Sequence, residues 1–310
     1  MVATDYESEL TRFLLSLADD DFVIGHRLSD WVAQAPTFEE DNTLASMSQD
    51  ELGHARMWYE VILDHDLPVP EALRPAVEGT TYDLDNLGLN RAPKARRNSI
   101  LVEPKHVDVQ RAELRSESLR GPDGEYKRPP AEAIKFEDLI AISAVYHDAE
   151  RLLVETIRDG NDLLNGDLSA RAEAILNEES FHREHVDLWL DRLTTTDEGQ
   201  ERLTTAFNEH LPNAADLFAF PDEIIDPLVS DGIIDRAPAD LQDDWLDQVH
   251  ERLLGRPIDI NEEVLESLGE PPATNGRRGE HTAALDQLVG EIHSAEAGLV
   301  GDHPVTRYEV

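Results

Sequence analysis

Two short motifs combine an acid and an imidazole at the spacing of one helical turn. Glu51 and His54 lie in QDELGHA, and Glu179 and His182 lie in NEESFH. Residues three apart in a helix project from the same face, so each pair could bind one metal ion. Both pairs fall in the stripe of apolar positions that would face a helical core. Because a buried carboxylate is costly unless a positive charge neutralises it, the pattern indicates metal ligands.

A single Glu-x-x-His match has little weight by itself. A lone acid or imidazole on an apolar face is more often a hydrogen-bonded core residue than a ligand. A third match, Glu103 and His106, is separated by Pro104 in a stretch without helical periodicity, and we interpret it as chance. The informative observation is that two such pairs lie on separate periodic segments.

Four long segments with helical periodicity position these motifs. Pro36 and Thr37 separate the first segment from the second, and the turn-rich run RDGNDLLNGD separates the third from the fourth. Each pair of segments therefore predicts a helical hairpin whose second helix carries a Glu-x-x-His motif. The predicted helices span residues 5–33, 38–64, 136–159 and 167–193.

The predicted fold is all-α, a four-helix bundle made of two helical hairpins joined by a long crossover. The crossover is rich in Pro, Arg and charged residues and has no sustained period, and shorter helical patterns follow the bundle near 197–218, 239–254 and 281–297. We expect all parts to form one domain. These parts are the first hairpin (1–65), the irregular crossover (66–135), the second hairpin (136–195) and a C-terminal helical extension (196–310).

A carboxylate-bridged dimetal centre in a bundle also needs one acid from each of the other two helices. In the first helix Asp21 is in phase with the apolar stripe, although a solvated acidic cluster would also explain the run 19–21. In the third helix we favour Asp148, with Glu150 as the competing assignment, because the two side chains cannot face the same way. Of the predicted ligands, the two Glu-x-x-His pairs are also the candidate catalytic residues. The predicted metal ligands are Asp21, Glu51, His54, Asp148, Glu179 and His182.

This set of four carboxylates and two imidazoles suits two iron ions, with manganese as a possible substitute, better than it suits zinc. Glu178 and His185, beside the second motif, are candidates to orient the ligands. Solvent exposure is the simpler interpretation of Glu178.

The composition excludes several classes of function. The chain has no Cys, which rules out disulfides, thiolate metal sites, iron–sulfur ligation and Cys nucleophiles. It has 66 Asp plus Glu against 27 Lys plus Arg, a net charge of -39, which is typical of a protein made for a high-salt cytoplasm and repels nucleic acid and anionic membranes. No apolar run has membrane-spanning length and no signal sequence opens the chain, so we expect a soluble, cytoplasmic protein.

Longer runs around these motifs resemble a known family. DDDFVIGHRLSDWVAQAP, QDELGHA and NEESFH are similar to the bacterial phenylacetyl-CoA 1,2-epoxidase (phenylacetate-CoA oxygenase) subunits, which are ferritin-like bundles. The ligands of the catalytic, diiron PaaA-type subunit fall on the predicted metal ligands of this chain, with Asp21 where that family has Glu. The runs LFAFPDEIIDPLVSDGI and NGRRGEHTAALDQLVGEI resemble instead the PaaC-type subunit, which is regarded as structural. The resemblance covers about 10–65 and 136–300.

The resemblance implies a diiron monooxygenase component in phenylacetate catabolism, which adds one oxygen atom to the aromatic ring of a CoA thioester. Its implied partners in a hetero-oligomer are a PaaA-type catalytic subunit, small subunits and a flavin and iron–sulfur reductase. Two alternatives stay open: a structural subunit with a vestigial site, and a ferritin-like oxidase or iron-handling protein with another substrate. Two basic clusters could contact CoA phosphates or a neighbouring subunit. They consist of Arg91, Lys94, Arg96, Arg97, Arg277 and Arg278.

Overall fold

The computed structural model describes residues 5–32, 34–75, 82–104, 136–161 and 163–300, and the side chains from Tyr6 to His293 within these ranges. In these ranges the chain forms α-helices and short 3-10 turns without any β-strand, so the prediction of an all-α fold is confirmed. The helices are α1 (Asp5–Ser29), α2 (Phe38–Asp64), α3 (Leu84–Gly88), α4 (Phe136–Asp159), α5 (Asp167–Leu193), α6 (Asp197–His210), α7 (Asp222–Ser230), α8 (Gln242–Leu253), α9 (Glu262–Ser267) and α10 (Ala283–Val300). The 3-10 turns are Glu71–Leu73, Pro93–Ala95, Ile100–Val102, Leu211–Asp216, Pro238–Leu241 and Gly276–Arg278.

Two helical hairpins, α1–α2 and α4–α5, form a ferritin-like bundle. Thr37 begins α2 as an N-cap, because its side chain accepts a hydrogen bond from the Glu40 backbone N–H at 3.2 Å. Within the first hairpin, Gly25 lets α1 approach α2 closely: a Cβ at this position would lie 2.9 Å from Leu52 and 3.1 Å from the Cβ of Glu51. This close approach fixes the height of Glu51 against α1.

Aromatic side chains from α4, α5 and the α1–α2 connection close one end of the core. The ring of Phe136 lies 5.5 Å from that of Trp31 and 4.6 Å from that of Trp189, both edge-to-face. The Trp189 indole N–H donates to Glu40 at 2.7 Å. This cluster therefore joins both hairpins at the end of the bundle away from the α2–crossover turn.

The described part of the crossover is tied to α1 by buried ion pairs. Asp19 accepts two hydrogen bonds from the Arg91 guanidinium, at 2.7 and 2.9 Å, and one from Arg96 at 3.2 Å. The described part of the crossover also carries the short helix α3 and three 3-10 turns. The remaining crossover residues, 76–81 and 105–135, lie outside the described residues.

The C-terminal helices cover the bundle from outside. Helices α6 and α8 pack on α4, and α7 packs on α1. The Trp245 indole on α8 donates to the Val145 carbonyl at 3.0 Å, which anchors α8 to the middle of α4. As a consequence, α4 is buried on its outer side as well as on the side that faces the bundle. None of the described helices is long and apolar enough to cross a lipid bilayer.

Candidate metal centre

A group of buried acids and imidazoles converges between the four bundle helices. Each member has at most 3% of its surface exposed. Helix α1 contributes one acid, whereas α2, α4 and α5 each contribute a histidine and a glutamate. The members are Asp21, Glu51, His54, His147, Glu150, Glu179 and His182.

Two overlapping sets of donor atoms lie within this group, and in each set all atoms are within 4.8 Å of one another. Glu51 and Glu179 belong to both sets. His147 and His182 complete the first set, and His54 and Glu150 complete the second. Two carboxylates shared by two different donor sets are the arrangement of a carboxylate-bridged dimetal centre. The group could therefore hold metal ions.

All three imidazoles present Nδ1 to the carboxylates. His182 Nδ1 lies 2.8 Å from Glu179 and 3.1 Å from Glu51. His147 Nδ1 lies 3.1 Å from Glu179 and 3.5 Å from Glu51. His54 Nδ1 lies 3.5 Å from Glu150 and 3.9 Å from Glu51. Because Nδ1 faces inward in each case, Nε2 is left to contact other groups.

Two acids bind the outward nitrogens of the motif histidines crosswise. His54 Nε2 on α2 lies 2.8 Å from Glu178 on α5, and His182 Nε2 on α5 lies 3.4 Å from Asp50 on α2. Each acid directly precedes the glutamate of its own motif. A carboxylate on the far nitrogen of a ligating histidine fixes its ring and its tautomer. The half-exposed Glu178 therefore has a contact role that solvent exposure alone does not describe.

His185 does not orient any member of the cluster. Its Nε2 lies 2.8 Å from Glu40, in the aromatic end of the core. Of the two candidates proposed beside the second motif, only Glu178 contacts a predicted ligand.

Asp21 faces the cluster, as expected from its phase in α1. Its side chain is 1% exposed, which excludes the interpretation as a solvated acid. The Tyr146 hydroxyl donates to Asp21 Oδ1 at 2.7 Å, while Oδ2 has no hydrogen-bond partner among the described residues. One oxygen of Asp21 is thus held and the other is available to a cation.

The prediction that Asp148 faces this cluster is wrong. Its carboxylate accepts hydrogen bonds from Arg252 at 2.7 and 2.9 Å and from Arg183 at 2.6 Å, on the side of α4 covered by α8. The competing assignment, Glu150, lies in the cluster instead. Because α4 is buried on both sides, its apolar residues do not mark the face that points into the bundle. Phase against the apolar stripe therefore could not distinguish the two acids.

Sequence reasoning missed His147. Its partner at one-turn spacing is Glu150, in the order His-x-x-Glu, which is the reverse of the two motifs that drew attention. Both orders place two side chains on one helical face. A search for the reverse order would have found both His147 and the correct acid of α4.

The cluster needs positive charge. Burial raises the pKa of Asp21 and of Glu150, and the neighbouring carboxylates raise both pKa values further. Burial alone would lower the pKa of His147, but Glu179, Glu150 and Glu51 raise it to about 9. Burial alone would raise the pKa of Glu179, but His147 and His182 lower it below its usual value. Protons or metal cations could supply the missing charge.

Buried polar atoms without hydrogen-bond partners are concentrated here. Most buried polar atoms in proteins are hydrogen-bonded, so a local group of exceptions points to a missing ligand. The exceptions among the described residues include both carboxylate oxygens of Glu51 and Glu150, Oε2 of Glu179 and both ring nitrogens of His147. The donor set and these free atoms fit metal ions.

In the third Glu-x-x-His match, Glu103 lies apart from the cluster. Glu103 is buried and accepts hydrogen bonds from Asn98 and from the Thr282 backbone, in agreement with its interpretation as a chance match. Its motif partner His106 lies outside the described residues.

Three of the six residues in the basic clusters are unavailable to CoA phosphates or to a neighbouring subunit. Arg91 and Arg96 are buried against Asp19, and Arg277 is buried with its guanidinium 2.7 Å from Asp20. Only Lys94 and Arg278 of the proposed set are exposed. The arginines hold the crossover and the C-terminal tail against α1, and the interpretation as a CoA site is wrong for these three.

Comparison with known proteins gives the family. The family model described as phenylacetic acid catabolic protein matches residues 1–299. The chain belongs to this family. It is also similar to the C subunit of the 1,2-phenylacetyl-CoA epoxidase of Escherichia coli (strain K12), with 26% identity over 296 residues, which is 95% of this chain and 98% of the relative. The resemblance stated from the sequence motifs is confirmed.

Proposed function

We propose that this phenylacetic acid catabolic protein is the ferritin-like component of a multisubunit oxygenase that epoxidises the ring of phenylacetyl-CoA, and that it holds a carboxylate-bridged diiron centre. The observation that carries the proposal is the pair of donor sets that share Glu51 and Glu179. Membership of the family and the similarity to an epoxidase subunit supply the substrate class.

Charge supports two divalent ions at this centre. When ionised, the carboxylates of Asp21, Glu51, Glu150 and Glu179 carry four negative charges, which balance two divalent cations. Neutral imidazoles add no charge. Mixed carboxylate and imidazole donors suit iron and also accept manganese. His54, His147 and His182 complete the donor set.

When bound, a diiron centre supplies the reduction of dioxygen for transfer of one oxygen atom to the substrate ring. The chain's own residues prepare the site. Glu178 and Asp50 keep Nδ1 of the motif histidines directed inward, and the Tyr146 hydroxyl holds one oxygen of Asp21. Burial of every donor excludes bulk water from the centre.

The proposed function requires partners. A chain without Cys cannot hold an iron–sulfur cluster, so electrons come from a separate flavin and iron–sulfur reductase. We place the chain in a hetero-oligomer with a PaaA-type subunit and small subunits, in the cytoplasm where CoA thioesters are available. Its acidic surface argues against nucleic acid and membrane partners.

Turnover in a reconstituted complex tests the function. The parent chain, partner subunits and reductase are supplied with phenylacetyl-CoA, and ring epoxide is measured by mass spectrometry. The double variant Glu51→Gln, Glu179→Gln removes both shared carboxylates and should lose turnover by about 100-fold or more. Glu184→Gln changes an exposed acid of α5, the helix that carries Glu179, and serves as the control. Unchanged turnover in the double variant would end the catalytic proposal.

A second candidate is a structural subunit that binds the catalytic subunit and holds no metal. The observation in its favour is that His147 Nδ1 lies within 3.1 to 3.7 Å of three carboxylates, so an imidazolium there would offset part of their negative charge without a metal. In that case the parent would assemble with its partners and contain no iron, and the double variant would support turnover as well as the parent.

A further inference from the structure

His147 differs from the other buried histidines near the bundle core in its contacts. Both of its ring nitrogens are buried without a well-directed hydrogen bond to any described residue. By contrast, Nε2 of His54 contacts Glu178 and Nε2 of His185 contacts Glu40. It is costly to bury an imidazole whose Nε2 has no partner among the described residues and whose Nδ1 faces carboxylates without a well-directed hydrogen bond, so its position needs another explanation.

The position of His147 is central within the cluster. Its Nδ1 lies 3.1 Å from Glu179, 3.5 Å from Glu51 and 3.7 Å from Glu150. Its ring lies 5.0 Å from that of His182, measured between centroids. His147 therefore faces both shared carboxylates, as the motif histidines do, and it shares the first donor set with His182.

We propose that His147 is a third imidazole ligand, so that the two metal positions of the centre carry unlike donors. One position takes His147 and His182, and the other takes His54 with the added carboxylate of Glu150, while Glu51 and Glu179 serve both. This assignment rests on the proposed function, because it requires that the cluster binds metal. It goes beyond that function by making the two positions chemically unequal.

Unlike donors imply unequal affinities. A position with two imidazoles favours a borderline ion such as Co²⁺ over Mn²⁺, whereas a carboxylate-rich position accepts the harder ion more readily. The metal-free chain should therefore bind Co²⁺ in two separate steps, with the first step at the His147–His182 position.

The test is an anaerobic titration of the metal-free full chain with Co²⁺, followed by visible absorption and by metal analysis after gel filtration. The parent should bind about two ions in two steps. His147→Gln should keep one ion and bind the other at least about tenfold more weakly, with loss of the absorption bands of the first step. His185→Gln, a buried histidine of α5 outside the cluster, is the matched control and should behave as the parent.

Proton NMR of the Co²⁺-loaded parent counts the ligating histidines without any substitution. Each imidazole bound through Nδ1 keeps an exchangeable Nε2–H that is strongly shifted by the metal, so three such signals are expected. Only two signals, or a His147→Gln variant with the parent's two steps and spectrum, would overturn the assignment of His147 alone. A parent that binds no Co²⁺ would overturn the proposed function together with it.

Discussion

The three aspartates at residues 19–21 contact three different parts of the molecule. Successive residues of a helix point about 100° apart, so neighbours reach different surroundings. Asp19 binds Arg91 of the crossover, Asp20 binds Arg277 of the C-terminal tail, and Asp21 faces the metal-binding cluster. One turn of α1 therefore links the centre to the two segments that cover it.

Asp148 and Glu150 provide a matched pair for testing the cluster, since both are buried acids of α4. Glu150→Gln removes a carboxylate donor and should lower the affinity for Mn²⁺ at least about tenfold. Asp148→Asn leaves every donor in place but weakens the pair with Arg252, which should lower the free energy of unfolding by about 2 kcal/mol. Equilibrium dialysis and urea unfolding measure the two effects.

The opposite pattern would contradict the assignment of α4. If Asp148→Asn lost metal while Glu150→Gln kept it, then the side of α4 that faces α8 would be the functional one, and the metal would bind outside the buried cluster.

At the scale of elements, the hydrophobic periodicity of the sequence predicted the four long helices. The four bundle helices begin and end within a few residues of their predicted limits, because Pro36–Thr37 and the turn after Asp159 are strong local breaks. Helices α3, α7 and α9 were not predicted, since 5, 9 and 6 residues are too few to establish a period. Which side of α4 faces the centre could not be predicted, because α6 and α8 pack on its other side and local periodicity carries no information about that packing.

The ion pairs that tie the crossover to α1 should contribute strongly to stability. Asp19→Ala leaves the buried guanidinium groups of Arg91 and Arg96 without their carboxylate, so we expect the free energy of unfolding to fall by about 3 to 5 kcal/mol. Glu9→Ala removes a partly exposed ion pair with Arg12 and should cost less than about 1 kcal/mol. Urea unfolding at constant high salt compares the two variants. Equal losses would show that the crossover is not held by this pair.

His26 should make α1 sensitive to acid. Burial, with Arg96 and Arg27 nearby, lowers the pKa of His26 to about 4. The unfolded chain therefore binds a proton below about pH 6.5 that the folded chain binds only near pH 4, and stability is lost as the pH falls through this window. Between pH 7 and pH 5, the parent should lose about 2 kcal/mol more than His26→Gln.

Urea unfolding at the two pH values measures this difference, with His250→Gln as the control because His250 is exposed. A parent and a His26→Gln variant with the same pH dependence would mean that His26 is protonated in the folded chain.

At the scale of the whole molecule, the net charge of -39 opposes folding through self-repulsion. Added salt shortens the screening length from about 10 Å at 0.1 M to about 3 Å at 1 M. The midpoint of thermal unfolding should therefore rise between 0.1 M and 1 M KCl, and by more than in sucrose of equal osmolality. A midpoint that is unchanged or lower in KCl would argue against adaptation to a high-salt cytoplasm.

The central claim is that the buried cluster binds two metal ions. The most direct measurement is iron content after anaerobic loading with Fe²⁺ and gel filtration in high salt, for the parent and for Glu51→Gln, Glu179→Gln. Because both donor sets share these two glutamates, we predict about two irons per parent chain and none in the folded double variant. A folded parent that retains no iron would contradict the claim and would leave the structural subunit as the function of this chain.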